Sequence, residues 1–251
     1  MLPTLGDPRF MRRTLVIFAF GSLLPASALQ AQEQKVDSAM IARAHQPILR
    51  TGELLGVLGA TALGVALDQV LRNNIRDSTD PAGWTISDIG NTYGSGLVYP
   101  ALLVLAVGGK ALGSKGLYGV SSRALKSIVV AGVAAMTLKV VVGRERPVTS
   151  PDNRLVFHPF RFKDNSFPSG HTTLAFALAT SLSRETRGRW DDAAFFALAS
   201  LTAYARMHDD KHWFSDVVFG AGMGILSARF VHRREARLLV GANVLGASLA
   251  F

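Results

Sequence analysis

Lys139 and Arg146 lie seven residues apart, with Pro147 directly after them. In a helix that spacing is about two turns, so both cations share one face. The residue before a proline avoids helical geometry, so the helix stops there. Two fixed cations leaving an apolar helix suit an anionic oxyacid, since Arg grips such groups through two parallel bonds. The plainer alternative is snorkelling at a helix end. A second stretch, Phe167-Pro168-Ser169-Gly170-His171, leads into the apolar run Thr172–Ser183. Ser169 or Gly170 can cap a helix there, and the free N–H groups of a helix start form an anion site. His171 then stands where a leaving oxygen could take its proton; otherwise it is a surface His beside an ordinary turn. The third stretch runs from Arg206 to Asp216 and contains His212. His212 and Asp216 are i and i+4, neighbours on one helical face. A carboxylate on one ring nitrogen fixes the tautomer and leaves the other nitrogen free to attack. His208, Asp209 and Asp210 form a competing set with metal-ligand chemistry, but they crowd a loop without a recognisable ligand spacing.

These stretches sit at the ends of apolar segments. Leu54–Leu67, Ile89–Gly109, Ser127–Gly143, Thr172–Ser183, Ala193–Ala205 and Val217–Ala228 are rich in Ala, Leu and Gly. They show little period-2 alternation, so the expectation is an all-α bundle of about six apolar helices. Turn residues such as Asp80-Pro81-Ala82-Gly83 and Thr149-Ser150-Pro151-Asp152 separate them. A bilayer span needs about 20 residues, and runs of 10–14 are more often buried core helices. A transmembrane bundle is therefore expected, with a compact helical protein exported to the periplasm as the alternative. Cations cluster at Lys110–Lys126, at Arg184–Arg189 and at Arg229–Arg237, and the positive-inside rule places those connections in the cytoplasm. The segments Arg144–Gly170 and Arg206–Asp216 then face outward, although they are basic too.

Composition narrows the classes. The chain has 251 residues, 49% of them apolar and 18% charged, with 27 Lys+Arg against 18 Asp+Glu and no cysteine. It is too apolar for a disordered protein. Disulfide scaffolds, zinc-thiolate sites and cysteine nucleophiles are excluded. The net charge of +9 points to an anionic partner. Nucleic acid is not expected, because the cations cap apolar helices and form no aromatic-interleaved patch. At the N-terminus, Arg9, Arg12 and Arg13 precede the apolar run Leu15–Leu24, then Ala26-Ser27-Ala28. Residues 1–31 read as a signal peptide or an uncleaved signal anchor, and residues 32–251 as one helical domain.

The three motifs in this order, K-x6-R-P, P-S-G-H and R-x5-H-x3-D, resemble the signature of the type 2 phosphatidic acid phosphatase family. Lys139, Arg146, Pro147, Pro168, Ser169, Gly170, His171, Arg206, His212 and Asp216 all fall at that spacing. One departure is Ala205, where the family usually has Ser. The resemblance implies that His212 attacks phosphorus to form a phosphohistidine, with Asp216 orienting it. It also implies that His171 first protonates the leaving group and then activates water. Lys139, Arg146 and Arg206, with Ser169 and the Gly170 N–H, would hold the phosphoryl oxygens. No metal or other cofactor is implied.

The substrate class expected is a lipid phosphate or diphosphate, such as phosphatidic acid or an isoprenoid diphosphate, drawn from a membrane. Rival readings are a soluble periplasmic acid phosphatase, a vanadium-dependent haloperoxidase using the same pocket, and a non-catalytic membrane protein that binds lipid phosphate. Phe157, Phe160, Phe162 and Phe167 surround the second motif and either greet an acyl or prenyl chain or pack onto the helical core. The apolar tail Leu238–Phe251 reads as a terminal helix or as a hairpin turning at Asn243.

Overall fold

A computed structural model describes residues 49–76, 81–163, 165–186 and 188–249. The expected signal or anchor at residues 1–31 lies outside them. Among the described residues the regular secondary structure is helical, apart from one isolated antiparallel bridge between Arg144 and Phe157 in the connection after the fourth helix. Seven helices follow in order: α1 (Thr51–Arg76), α2 (Pro81–Tyr93), α3 (Val98–Ala111), α4 (Lys115–Val142), α5 (Gly170–Ser183), α6 (Arg189–His208) and α7 (Phe214–Leu249). The backbone of the C-terminal tail continues α7 to Leu249, so no hairpin turns at Asn243.

α5 is the central helix, packed on α4, α6 and α7, while α1 flanks α7, α2 flanks α6 and α3 flanks α4. Ala175, Ala177, Leu178 and Ala179 are buried on several sides of α5 at once, which explains why this run is uncharged and short. Among the described residues three helices are long and apolar enough to cross a bilayer: Thr51–Ile75, Lys115–Val142 and Phe214–Ala236. The first two present rows of uncovered apolar side chains, including Leu63 at 73% exposure and Met136 at 72%, while the third is half buried among its neighbours. A water-soluble helix would turn such a face inward, whereas a lipid-facing helix leaves it bare. The chain is a membrane protein.

Two expectations change. Ile89–Gly109 is not one segment: Ser87–Tyr93 and Val98–Ala111 meet at a bend of 49° around Gly94-Ser95-Gly96. A Cβ on Gly94 would stand 2.3 Å from Thr202 Cγ2 and 2.8 Å from the His171 carbonyl oxygen, so the break lets α2 press against the start of α5. The run Leu54–Leu67, too short to span by itself, belongs to a helix of 26 residues. It continues because Asp68 and Arg72 point inward to buried partners.

Charged groups sort to the two ends of the bundle. At one end Arg123 pairs with Glu185, Lys126 with Glu235, and Arg229 and Arg233 both with Glu53 at the start of α1. The other end collects the C-termini of α1, α4 and α6 and the N-termini of α5 and α7, together with all three sequence motifs.

Candidate active site

Lys139 leaves the last turn of α4, and its Nζ donates to the carbonyl oxygens of Asn165 at 2.8 Å and Ser166 at 3.2 Å. Its stem lies over the start of α5, where a Cβ on Gly170 would meet Lys139 Cε at 3.7 Å. Ser169 is the N-cap residue of α5, in extended conformation, with its Oγ 2.9 Å from Thr172 Oγ1. Its own N–H donates to the Asp216 carbonyl oxygen at 3.0 Å, joining the second motif to the third. The first N–H groups of α5 have no intrahelical acceptor. Arg206 comes from the last turn of α6, where its Nη1 donates to Asn91 Oδ1 at 2.7 Å. The Nε groups of Arg146 and Arg206 are buried and have no acceptor among the described residues. Buried donors are almost always paired, so two unspent guanidinium donors beside a lysine and a helix start form an arrangement whose chemistry suits a tetrahedral oxyanion.

His171 feels this field. Burial, reinforced by the charges of Arg206, Lys139 and Arg146, lowers its pKa from 6.5 to about 4. His212 is buried in the turn after α6, and burial lowers its pKa to about 3 against the opposing pull of Asp216. Both rings are therefore neutral in the anion-free site, as a nucleophilic imidazole must be. His212 Nδ1 lies 3.4 Å from Ser166 Oγ and 3.8 Å from Asp216 Oδ2. Nδ1 is thus the nitrogen that faces the carboxylate, and Nε2 is the free one. At 3.8 Å the carboxylate does not bond the ring directly, and Ser166, which also donates to Asp216 Oδ2, bridges the two. The eight residues singled out in the sequence, seven by side chain and Gly170 by its N–H, meet at this end of the bundle.

Several residues that the motifs do not contain build the second layer. Arg144 has a side-chain exposure of 2%. Its guanidinium donates to Asp216 Oδ1 at 2.6 Å, Ser215 Oγ at 2.7 Å, Asp68 Oδ2 at 2.7 Å and, through two N–H groups, the Arg154 carbonyl oxygen. Asp68 in turn accepts the Ser215 N–H and hydroxyl, both at 2.8 Å. A chain of contacts therefore runs from α1 through Arg144 to Asp216 and His212. The competing set disperses: Asp210 is held by Arg72 at 2.6 and 2.8 Å, and Asp209 accepts from Ser87 and Asn91, both at 2.7 Å. Asn91 thus fixes Arg206 and Asp209 together. Phe167 stacks on Phe219 with ring centroids 4.7 Å apart. Phe157, Phe160 and Phe162 are exposed instead, so core packing fails for three of the four rings. A signal was present for Arg144 and Asp68, namely lone charges at the ends of apolar runs. None marked Asn91 or Ser166.

Residues 122–238 match the PAP2 superfamily. Among curated proteins, a lipid A 1-phosphatase of Porphyromonas gingivalis is 47% identical over 64 residues, 25% of this chain and 14% of that protein. A lipid A 4'-phosphatase of the same organism is 26% identical over 135 residues, 53% of this chain and 56% of that protein. The matched region thus covers only part of either relative. Among solved structures, Aquifex aeolicus LpxE superimposes with a TM-score of 0.51 at 26% identity, covering 64% of this chain and 92% of that one. The transmembrane PAP2-type phosphatidylglycerolphosphate phosphatase of Bacillus subtilis gives a TM-score of 0.56 at 16% identity, covering 72% and 94%, a likeness of fold.

Proposed function

Since the chain carries a PAP2 superfamily domain over residues 122–238, we propose that it is a membrane phosphatase that hydrolyses a lipid phosphate through a phosphohistidine at His212. The observation that carries this reading is the convergence of a neutral His212 and His171 with two buried guanidinium Nε donors that have no acceptor among the described residues. His212 Nε2 attacks phosphorus as the P–O bond to the lipid breaks. Lys139, Arg146, Arg206, Ser169 and the Gly170 N–H stabilise the oxygens on which charge sits in the transition state. His171 gives its proton to the departing oxygen. It then takes a proton from the water that displaces His212 and releases phosphate. The low pKa of His171 belongs to the anion-free site; a bound phosphate dianion offsets the three cations and raises it toward the range a general acid needs.

Both curated relatives are lipid A phosphatases by name, which favours a phosphorylated glycolipid over a small soluble phosphomonoester. Bare apolar flanks of the spans agree with a lipid substrate. The cations of the opposite end, including Lys110, Lys115, Arg123 and Lys126, support a cytoplasmic position for that end and a periplasmic one for the site. The test is phosphate release from a panel of lipid A, phosphatidic acid, phosphatidylglycerophosphate and isoprenoid diphosphate in mixed micelles. Release that His212→Ala abolishes while the fold persists supports the reading. Release that survives this substitution at full rate contradicts it.

A further inference from the structure

Between the first and second motifs the chain runs Phe157-His158-Pro159-Phe160-Arg161-Phe162-Lys163, alternating rings with basic groups and containing no acid. Neither ring nor cation is hidden: Phe160 is 69% exposed and Phe162 is 85% exposed. The backbone fixes the height of this segment relative to the bilayer. The Phe160 N–H donates to the Val140 carbonyl oxygen at 2.6 Å, within the last turn of the span Lys115–Val142. One residue beyond that span, Gly143 caps α4 with φ +61°, and a Cβ there would lie 1.8 Å from the His158 carbonyl oxygen. Only glycine lets the segment lie this close against the helix end. Phe160 itself adopts φ +66°, uncommon for a residue with a bulky side chain, and the outcome is a ring directed away from the protein.

We propose that residues 157–163 are an interfacial seat, in which Phe160 and Phe162 enter the headgroup region of an anionic leaflet beside the site. Aromatic rings at the level of a span's end prefer the membrane interface, and basic groups between such rings are drawn to anionic headgroups. Glu145 already holds His158 and Arg161, at 3.1 and 3.3 Å, so the charge of Arg161 is partly offset. Lys163 has no ion-pair partner among the described residues, but Asp164 follows it in sequence, so the pull of anionic headgroups is a modest addition to that of the rings. The seat is tied to the site, because Asn165 Nδ2 donates to the carbonyl oxygens of both Arg161 and Lys139. A lipid drawn to this surface lies at the mouth of the cluster built on Lys139.

Because the sequence has no cysteine, Phe160→Cys and Phe162→Cys each introduce a single thiol for a nitroxide label. The labelled proteins are reconstituted in vesicles of phosphatidylcholine alone or with added phosphatidylglycerol. In the anionic vesicles, collisions with dissolved oxygen should exceed those with a water-soluble nickel chelate several-fold, and this excess should shrink in pure phosphatidylcholine. Equal immersion in both vesicle types would overturn the assignment to an anionic surface. Labels open to the chelate in both would overturn the seat altogether. A kinetic arm rests on the phosphatase reading: Phe160→Ser with Phe162→Ser should raise KM for vesicle-borne substrate several-fold and leave a short-chain soluble substrate unaffected. An equal change for both substrates would count against the seat. Absence of hydrolysis in the parent protein would sink the phosphatase reading, and the labels would still decide this one.

Discussion

Arg144→Met removes the one guanidinium that bridges two fully buried carboxylates. The Arg144 side chain is 2% exposed, and those of Asp68 and Asp216 are 0% exposed. Methionine approximates the volume of the lost side chain, so the change is chiefly electrostatic. Removing one partner of a buried ion pair costs about 3–5 kcal/mol. Here two carboxylates are stranded together, so the upper end, about 5 kcal/mol, applies. In a chain of this size each kcal/mol lowers Tm by about 2–4 °C, which gives a fall of roughly 10–20 °C. Thermal unfolding in detergent micelles, followed by circular dichroism and tryptophan emission, measures it. Trp213 is a natural reporter, since the Arg144 guanidinium lies 5.4 Å from its ring centre. Asp68→Asn sharpens the test. In the parent it costs stability, because it breaks the contact with Arg144 at 2.7 Å. In the Arg144→Met background it removes a stranded charge and should restore part of the loss, a change of sign that only direct coupling produces. An Arg144→Met protein that melts within about 2 °C of the parent, less than the shift for one kcal/mol, would refute the reasoning. Equal losses from Asp68→Asn in both backgrounds would refute it too.

Asn91→Ala frees Arg206 and Asp209 at once, and should raise KM about tenfold, the size of one charged hydrogen bond, with kcat less affected; an unchanged KM would remove Asn91 from the site. Stability should fall as pH drops from 6.5 toward about 3, because across that window an unfolded His212 takes up a proton that the folded ring refuses. His212→Gln should flatten part of that slope in melting curves, and an identical slope in the variant would contradict the assignment. Binding of inorganic sulfate, a dianion throughout this range, should be accompanied by proton uptake near pH 6, as the bound anion raises the pKa of His171 from about 4. Calorimetry in two buffers of different ionisation enthalpy reads that uptake, which His171→Gln should diminish.

The site was more legible than the helices that hold it. Lys139, Arg146, His171, Arg206, His212 and Asp216 stood out because oxyanion chemistry demands those side chains at fixed spacing. Apolar runs bounded by charges understate the lengths of the helices. The run Leu54–Leu67 stops at Asp68, yet the helix does not, since Asp68 is neutralised by Arg144 and Arg72 by Asp210. In the same way Val217–Ala228 is the uncharged part of a longer span whose Asp216 and Arg233 are both paired. Such pairs join residues far apart in sequence, Arg72 to Asp210 or Arg144 to Asp68, so no local pattern announces them. The bend at Gly94 was hidden for a related reason: what forces it is the backbone of His171 and the side chain of Thr202.

The measurement closest to the central claim is a single-turnover experiment with lipid phosphate carrying radiolabelled phosphorus, stopped by alkali after a short interval. A nitrogen–phosphorus bond survives base and is lost in acid, so a phosphohistidine is recognised by that stability. A phosphohistidine intermediate at His212 predicts an alkali-stable, acid-labile label on the peptide containing that residue. The label should be prolonged in His171→Ala, which lacks the base for the second step, and absent from His212→Ala. A label on any other residue, or turnover by the parent protein with no covalent adduct at any time, would contradict it.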